Sequence, residues 1–171
     1  MSIILETDRL RLREMTDADF PALCAILQDP AVMYAYAHAF DTIEAQQWLE
    51  NQKRRYRADG FGLWAVLEKS SQEMIGQCGL TWQDCEEKQV LEVGYLFQKA
   101  YWGRGYATEA AKACRDYAFQ SLGAQEVYSI IRDSNLPSQK VARRNGMTLR
   151  GQMVKYYYDR EMPHLIYSIR R

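Results

Sequence analysis

The chain is 171 residues long, 47% hydrophobic and 26% charged, with 22 basic residues against 22 acidic and a formal net charge of zero. That describes one soluble globular domain over residues 1–171, burying roughly two-thirds of its unfolded surface. Neutrality excludes a surface built throughout to grip nucleic acid, no apolar run approaches the ~18 residues of a membrane span, and the opening Met1-Ser2-Ile3-Ile4-Leu5-Glu6 lacks the basic start and long apolar stretch of a secretion signal.

Residues 8–14 alternate, with Leu10 and Leu12 on one face and Arg9, Arg11 and Arg13 on the other, which predicts a strand with one solvated side. Thr16-Asp17-Ala18-Asp19 opens a helix, because Thr caps well and early acids suit the positive helix end. Phe20, Leu23, Cys24 and Leu27 recur at helical spacing until Asp29-Pro30 stops the run. Residues 31–41 carry no period and are expected to be a loop with short helical turns. A second helix is expected over 42–58, with Ala45, Trp48, Leu49 and Tyr56 inward and Lys53, Arg54, Arg55 and Arg57 on a solvated face.

After Asp59-Gly60 the period changes to that of strands, at 61–68, 74–82 and 90–97. Breaks at 69–73 and 83–89 make these an antiparallel meander. A helix follows over 105–122, lined by Ala107, Ala110, Ala111, Cys114, Ala118 and Leu122 and ended by Gly123. A β-branched strand at 126–132 leads to a short helix opened by Asn135-Leu136-Pro137 and closed at Asn145-Gly146. Strands at 147–158 and 162–169 turn at Asp159-Arg160-Glu161. The order β-α-α-β-β-β-α-β-α-β-β predicts a mixed α/β sheet, with helix 105–122 crossing between strands that run parallel.

Cys24, Cys78, Cys85 and Cys114 form no CxxC pair, and His38 and His164 are the only histidines. A structural zinc site needs four N or S ligands, so no metal is expected. The cysteines read as reduced thiols in a cytoplasmic protein, buried as small hydrophobes except Cys85, which lies in a polar stretch.

The chemistry concentrates where the strand ending at Leu96-Phe97 runs through Gln98-Lys99-Ala100-Tyr101-Trp102 into Gly103-Arg104-Gly105-Tyr106-Ala107-Thr108 and a helix. Two glycines let the backbone turn tightly and approach a ligand, and the first helical amides point outward with the positive dipole end. Together they suit a pyrophosphate. No Walker string exists, and the dinucleotide fingerprint fails because Thr108 stands where its third glycine belongs. The plain alternative is a tight turn at a helix start.

Trp102-Gly103-Arg104-Gly105-Tyr106-Ala107 resembles the pyrophosphate loop of the GCN5-related N-acetyltransferases (GNAT), Gln/Arg-x-x-Gly-x-Gly/Ala, with Trp102 at the Gln/Arg place. That departure resembles the branch of the ribosomal-protein alanine and serine N-terminal acetyltransferases. So do the opening segment Glu6-Thr7-Asp8-Arg9-Leu10-Arg11-Leu12-Arg13 and the later helix from Asn135 through Ser138 to Met147. The resemblance implies a GNAT-like fold: a mostly antiparallel sheet of about seven strands, about four helices on its two faces, and a splayed strand pair that binds acyl-CoA.

It further implies acetyl-CoA as co-substrate. The pantetheine arm would meet backbone at Leu96 and Phe97 and the side chain of Asn135, the pyrophosphate would sit on amides from Gly103 to Thr108, and Lys140, Arg143 and Arg144 would be candidates for phosphate. The acceptor would be a primary amine, either a protein N-terminus such as that of a ribosomal protein or a small polyamine, amino sugar or antibiotic. Direct nucleic-acid or membrane partners are not expected, and analogy suggests a homodimer. Glu92, alone in an apolar strand, matches the family position that deprotonates the amine, and apolar surroundings raise a carboxyl pKa toward that task. Its plain alternative is a cap or a solvent-facing residue. Ser138 matches the proposed acid, with helix capping as its alternative. Tyr156, Tyr157 and Tyr158 fall slightly late for the tyrosine acid of other members. His38, Tyr34, Tyr36 and Trp82 are candidates to line the acceptor groove. A non-catalytic acyl-CoA sensor would keep the glycine loop and lose Glu92-like and Ser138-like groups.

Overall fold

The computed structural model describes residues 2–157 and 159–171. Its framework is one eight-stranded sheet in the order β1-β2-β3-β4-β5-β6-β8-β7. The strands are β1 (Ile3–Glu6), β2 (Leu10–Arg13), β3 (Leu63–Glu68), β4 (Met74–Cys85), β5 (Lys88–Phe97), β6 (Glu126–Arg132), β7 (Thr148–Tyr157) and β8 (Arg160–Arg170). Every neighbouring pair is antiparallel except β5 and β6. The helices are α1 (Phe20–Leu27), α2 (Pro30–Met33), α3 (Thr42–Asp59), α4 (Tyr106–Gln120) and α5 (Leu136–Arg144). None is long and apolar enough to cross a membrane.

The expected crossover is α4, between the two parallel strands. Its buried stripe of Ala110, Ala111, Cys114 and Ala118 is made of small side chains, which let the helix lie close to the sheet. One core lies on that face, where Leu10, Leu12, Trp64, Ile75, Leu91 and Val93 meet α4. A second lies on the other face, where Leu23, Ile26, Leu27, Ala45 and Leu49 cover Ala65 and Met74. The β2 alternation behaves as its sequence demands, with Leu10 and Leu12 fully buried and the arginines partly exposed.

Several expectations are corrected. β1, not marked in the sequence, pairs with β2, and α2 joins the expected helices, giving eight strands and five α-helices among the described residues, in keeping with the approximate numbers expected. Pro30 ends α1 but also starts α2 at the position where a missing N–H costs nothing, with Asp29 accepting from Ala31 N–H. The break expected at 83–89 is a two-residue hairpin at Glu86-Glu87, because Cys85 pairs with Lys88. Cys85 is therefore buried rather than exposed, packed with Val90, Tyr128, Ile130 and Ile166. The last hairpin turns earlier than expected, with β8 already starting at Arg160. Tyr158 lies outside the described residues.

Candidate active site

The parallel β5 and β6 share one register pair, Glu92 with Tyr128, whereas β5 pairs with β4 along its whole length. Beyond Glu92 the two strands part, and side chains occupy the ladder groups at the split. Ser129 Oγ donates to Val93 O at 2.8 Å, and Ile130 N–H donates to Glu92 Oε2 at 2.6 Å. Both backbone groups are satisfied without a partner strand, so the parting leaves no orphan at its apex.

The strand geometry decides which amides face the opening. Gln98 N–H donates to Ile75 O of β4. Backbone groups alternate sides along a strand, so Leu96 N–H also faces β4, while Val93, Tyr95 and Phe97 face the gap. The backbone contacts that the resemblance implies at Leu96 and Phe97 therefore fall on opposite sides of β5, with Phe97 toward the gap and Leu96 toward β4. Leu96 lines the adjoining cavity with its side chain instead.

That cavity, about 350 Å³, brings together Glu92 and Leu96 of β5 with Asn135 and Ser138 at the start of α5. Burial pushes the Glu92 carboxyl above the usual carboxylate range, and Lys155, the Ile130 amide and Arg55 offset this only in part. Asn135 is the residue that caps α5, accepting from Ser138 N–H at 3.3 Å. Ser138 is therefore not needed as the cap. Its carbonyl accepts from Tyr95 OH at 2.7 Å, and among the described residues its hydroxyl has no hydrogen-bond partner. Burial raises the Tyr95 phenol far above its ordinary range, so it stays a donor.

The glycine loop lies at the end of the gap. Gly103 and Gly105 have φ of 76° and 81°, the left-handed region that explains both glycines. The α4 ladder begins with Glu109 N–H on Gly105 O, leaving the amides of Tyr106, Ala107 and Thr108 outside it. Trp102 Nε1 donates to Phe97 O at 2.9 Å, which fastens the loop to the strand end. Arg9 holds the loop's other side: its guanidinium pairs with Glu109 at 2.8 Å, donates to Arg104 O and lies over the Tyr106 ring. Tyr106 is buried, its hydroxyl donating to Glu68. Lys140 is exposed on α5, away from the cavity lining. Splayed strands, gap-facing amides and an open helix start fit a pantetheine arm followed by a pyrophosphate.

The acceptor side differs from expectation. Tyr36 lines the cavity with Phe40 and Trp48, whose rings meet edge to face. Tyr34 donates to Asn135 Oδ1 at 3.0 Å, tying the helical turn after α2 to the start of α5. Trp82 belongs elsewhere, against Phe61 near the β4–β5 hairpin, and His38 pairs with Glu44 outside the cavity lining. Arg55, expected on a solvated face, is half-buried and lines the cavity, as do Arg132, Lys155 and His164. Burial lowers the His164 pKa below that of a free imidazole.

A family model described as an acetyltransferase (GNAT) domain matches residues 9–148. YkkB of Bacillus subtilis (strain 168) is 39% identical over 144 residues, 84% of each chain. The crystal structure of an acetyltransferase from Agrobacterium tumefaciens str. C58 is 30% identical, with a TM-score of 0.83 over 100% of this chain and 96% of that one. RimL, a ribosomal-protein α-N-acetyltransferase solved in complex with coenzyme A, shares the fold at a TM-score of 0.78 and 20% identity, over 99% of this chain and 98% of that one.

Proposed function

The chain belongs to the GNAT acetyltransferase family, and on that premise we propose that it moves an acetyl group from acetyl-CoA to the α-amine of a protein N-terminus. The enzyme class follows from the family; the acceptor and the residue roles are our own reading. The observation that carries it is the convergence of Glu92, Ser138 and the gap-facing amides on one cavity where β5 and β6 part. When bound, acetyl-CoA supplies an electrophilic thioester carbonyl and a sulfur leaving group.

Glu92 takes the proton of the incoming ammonium, directly or through one water. Its raised pKa keeps a useful affinity for protons nearer neutrality than an ordinary carboxylate has. The N–H of Tyr95 or Phe97 faces the gap and stabilises negative charge developing on the carbonyl oxygen. Ser138 donates its hydroxyl proton to the departing sulfur. Amides from Gly103 to Thr108, with Trp102 and Arg104 framing them, hold the pyrophosphate at the positive end of α4. Asn135 meets the pantetheine arm, and Lys140 reaches an outer phosphate. A ribosomal protein is a fitting acceptor by analogy with RimL, a cytoplasmic homodimer is the setting the same analogy suggests, and a small amine is a variant that a cavity of about 350 Å³ also admits.

Free-thiol release from acetyl-CoA, measured against a panel of N-terminal peptides and small amines, tests this. Saturable release with free peptides, absent when their α-amines are blocked, is expected. Coenzyme A binding without release for any panel member overturns acetyl transfer. Release with small amines alone overturns the protein acceptor.

A further inference from the structure

Three cations line the acceptor cavity against a single carboxylate. Arg55 comes from α3, Arg132 from the end of β6, Lys155 from β7, and the carboxylate is Glu92. Other partly buried cations of the chain do have carboxylate partners: Arg13 with Asp19, and Lys53 with Asp17. Among the described residues the cavity cations have no ion-pair partner. The side chain of Arg55 donates only to the neutral Gln52 Oε1, at 3.3 Å, and the buried Nε of Arg132 has no hydrogen-bond partner. Half-buried cations without a counter-ion are unfavourable unless something negative joins them.

Glu92 does not account for all three. Lys155 and Arg55 do favour its ionised form, but Arg132 acts on His164 instead. The coenzyme's phosphates do not account for them either, since their cradle is the glycine loop, which is not part of the cavity lining.

We propose that the acceptor carries an anionic group beside its amine, a carboxylate or phosphate held by Arg55, Arg132 and Lys155 while the amine lies between Glu92 and the Tyr36–Trp48 wall. The proposal rests on the acetyl-transfer reading above and narrows its acceptor. An aromatic wall accommodates an ammonium through its ring faces until Glu92 takes the proton. The shared chemistry has two sources, a peptide whose first residues are acidic and a small aminocarboxylate, and a cavity of about 350 Å³ admits either.

The test uses the whole protein with saturating acetyl-CoA and matched acceptors: Ser-Glu-Ala against Ser-Gln-Ala peptide amides, glutamate against glutamine, and phosphoethanolamine against ethanolamine. The anionic member of a pair should show kcat/KM higher by about tenfold or more, the weight of one charge-assisted contact. Arg132→Gln and Lys155→Gln should bring the ratio of anionic to neutral kcat/KM toward one while leaving coenzyme A affinity within about twofold. Preference in the peptide pair alone, or in the small-molecule pairs alone, identifies the source. Equal rates within all pairs, or a best rate with a polyamine, overturn the proposal. If no amine turns over at all, the acetyl-transfer reading fails, and calorimetric binding of the same pairs to the coenzyme A complex decides the charge preference by itself.

Discussion

Glu92 does two things with one side chain. One oxygen takes the Ile130 amide at the apex of the split, and the carboxyl also faces the acceptor cavity. Glu92→Gln keeps an acceptor for that amide and removes the base. It should lower kcat by about 10²- to 10⁴-fold with coenzyme A affinity unchanged; an unaltered rate would show that the proton goes elsewhere. In the parent enzyme, activity should be lost as pH falls through a pKa above the ordinary carboxylate value, and the variant should lack that limb. The stability sign is opposite. A carboxyl whose folded pKa is raised contributes stability that is present below its unfolded pKa and lost as pH rises through the folded one. At pH 7 the variant should therefore melt no lower than the parent. Ser129→Ala removes the other bond at the split and leaves the buried Val93 carbonyl unpaired, at about 1–3 kcal/mol in denaturant unfolding; no loss would mean that water replaces the hydroxyl. Glu92 stood out in the sequence because a lone acid in an apolar strand is conspicuous. Ser129 and Tyr95 did not, since each looks like ordinary strand filling until the register turns it to the gap. Arg55 misled because it sits in a run of four basic residues of which it alone lines the cavity.

At the scale of elements, the sequence was most legible where a period or a stop signal was clean. The bounds of β6 and the buried stripe of α4 follow from apolar spacing, except that Leu122, expected on that stripe, lies past the end of α4 and is exposed. It was least legible where local chemistry departs from habit. The β4–β5 hairpin turns on Glu86 and Glu87, with φ of 50° and 68°, where asparagine and glycine are the favoured pair. Nothing in two glutamates announces that turn, so the sequence points to a break there and to an exposed Cys85. Left-handed backbone costs a non-glycine residue about 1–2 kcal/mol. Glu86→Asn combined with Glu87→Gly should recover about 1 kcal/mol in denaturant unfolding without changing activity; a loss of stability would mean the two acids hold the turn by other means. Short β1 was missed because Ile3-Ile4-Leu5 has no alternation. Gly105 tests the loop: at φ 81°, and with Arg9 3.5 Å from where a Cβ would stand, valine strains the α4 start. Gly105→Val should weaken coenzyme A binding by at least about tenfold, as calorimetry reads it, for a backbone strain of about 1–3 kcal/mol. Unchanged affinity would move the pyrophosphate off this loop.

At the scale of the whole molecule, zero net charge conceals a division. Residues 1–98 hold 9 basic against 16 acidic side chains, and residues 99–171 hold 13 against 6. Taken as a sequence, that split suggests an anionic coenzyme on the second half and a cationic acceptor approaching the first. The glycine loop and α5 with Lys140 and Arg144 belong to the basic half, the side the proposed coenzyme would occupy. The fold alters the acceptor side, because Arg55 from the acidic half joins Arg132 and Lys155 from the basic half around Glu92. Folding thus mixes the charges around the proposed acceptor cavity, and at the glycine loop it adds Arg9 and Glu68 from the acidic half. The two ends of the reaction should then respond differently to salt. Raising ionic strength from about 0.01 M to about 0.15 M shortens the screening length from about 30 Å to about 8 Å. The kcat/KM for acetyl-CoA should fall several-fold over that range, since an anion steered by an extended basic surface loses long-range attraction. With acetyl-CoA saturating, kcat/KM for a neutral-tailed amine should stay within about twofold, because half-buried charges lining a cavity are screened less than exposed ones. A flat response for acetyl-CoA would mean that the basic half of the chain is balanced by acidic neighbours in space and steers nothing.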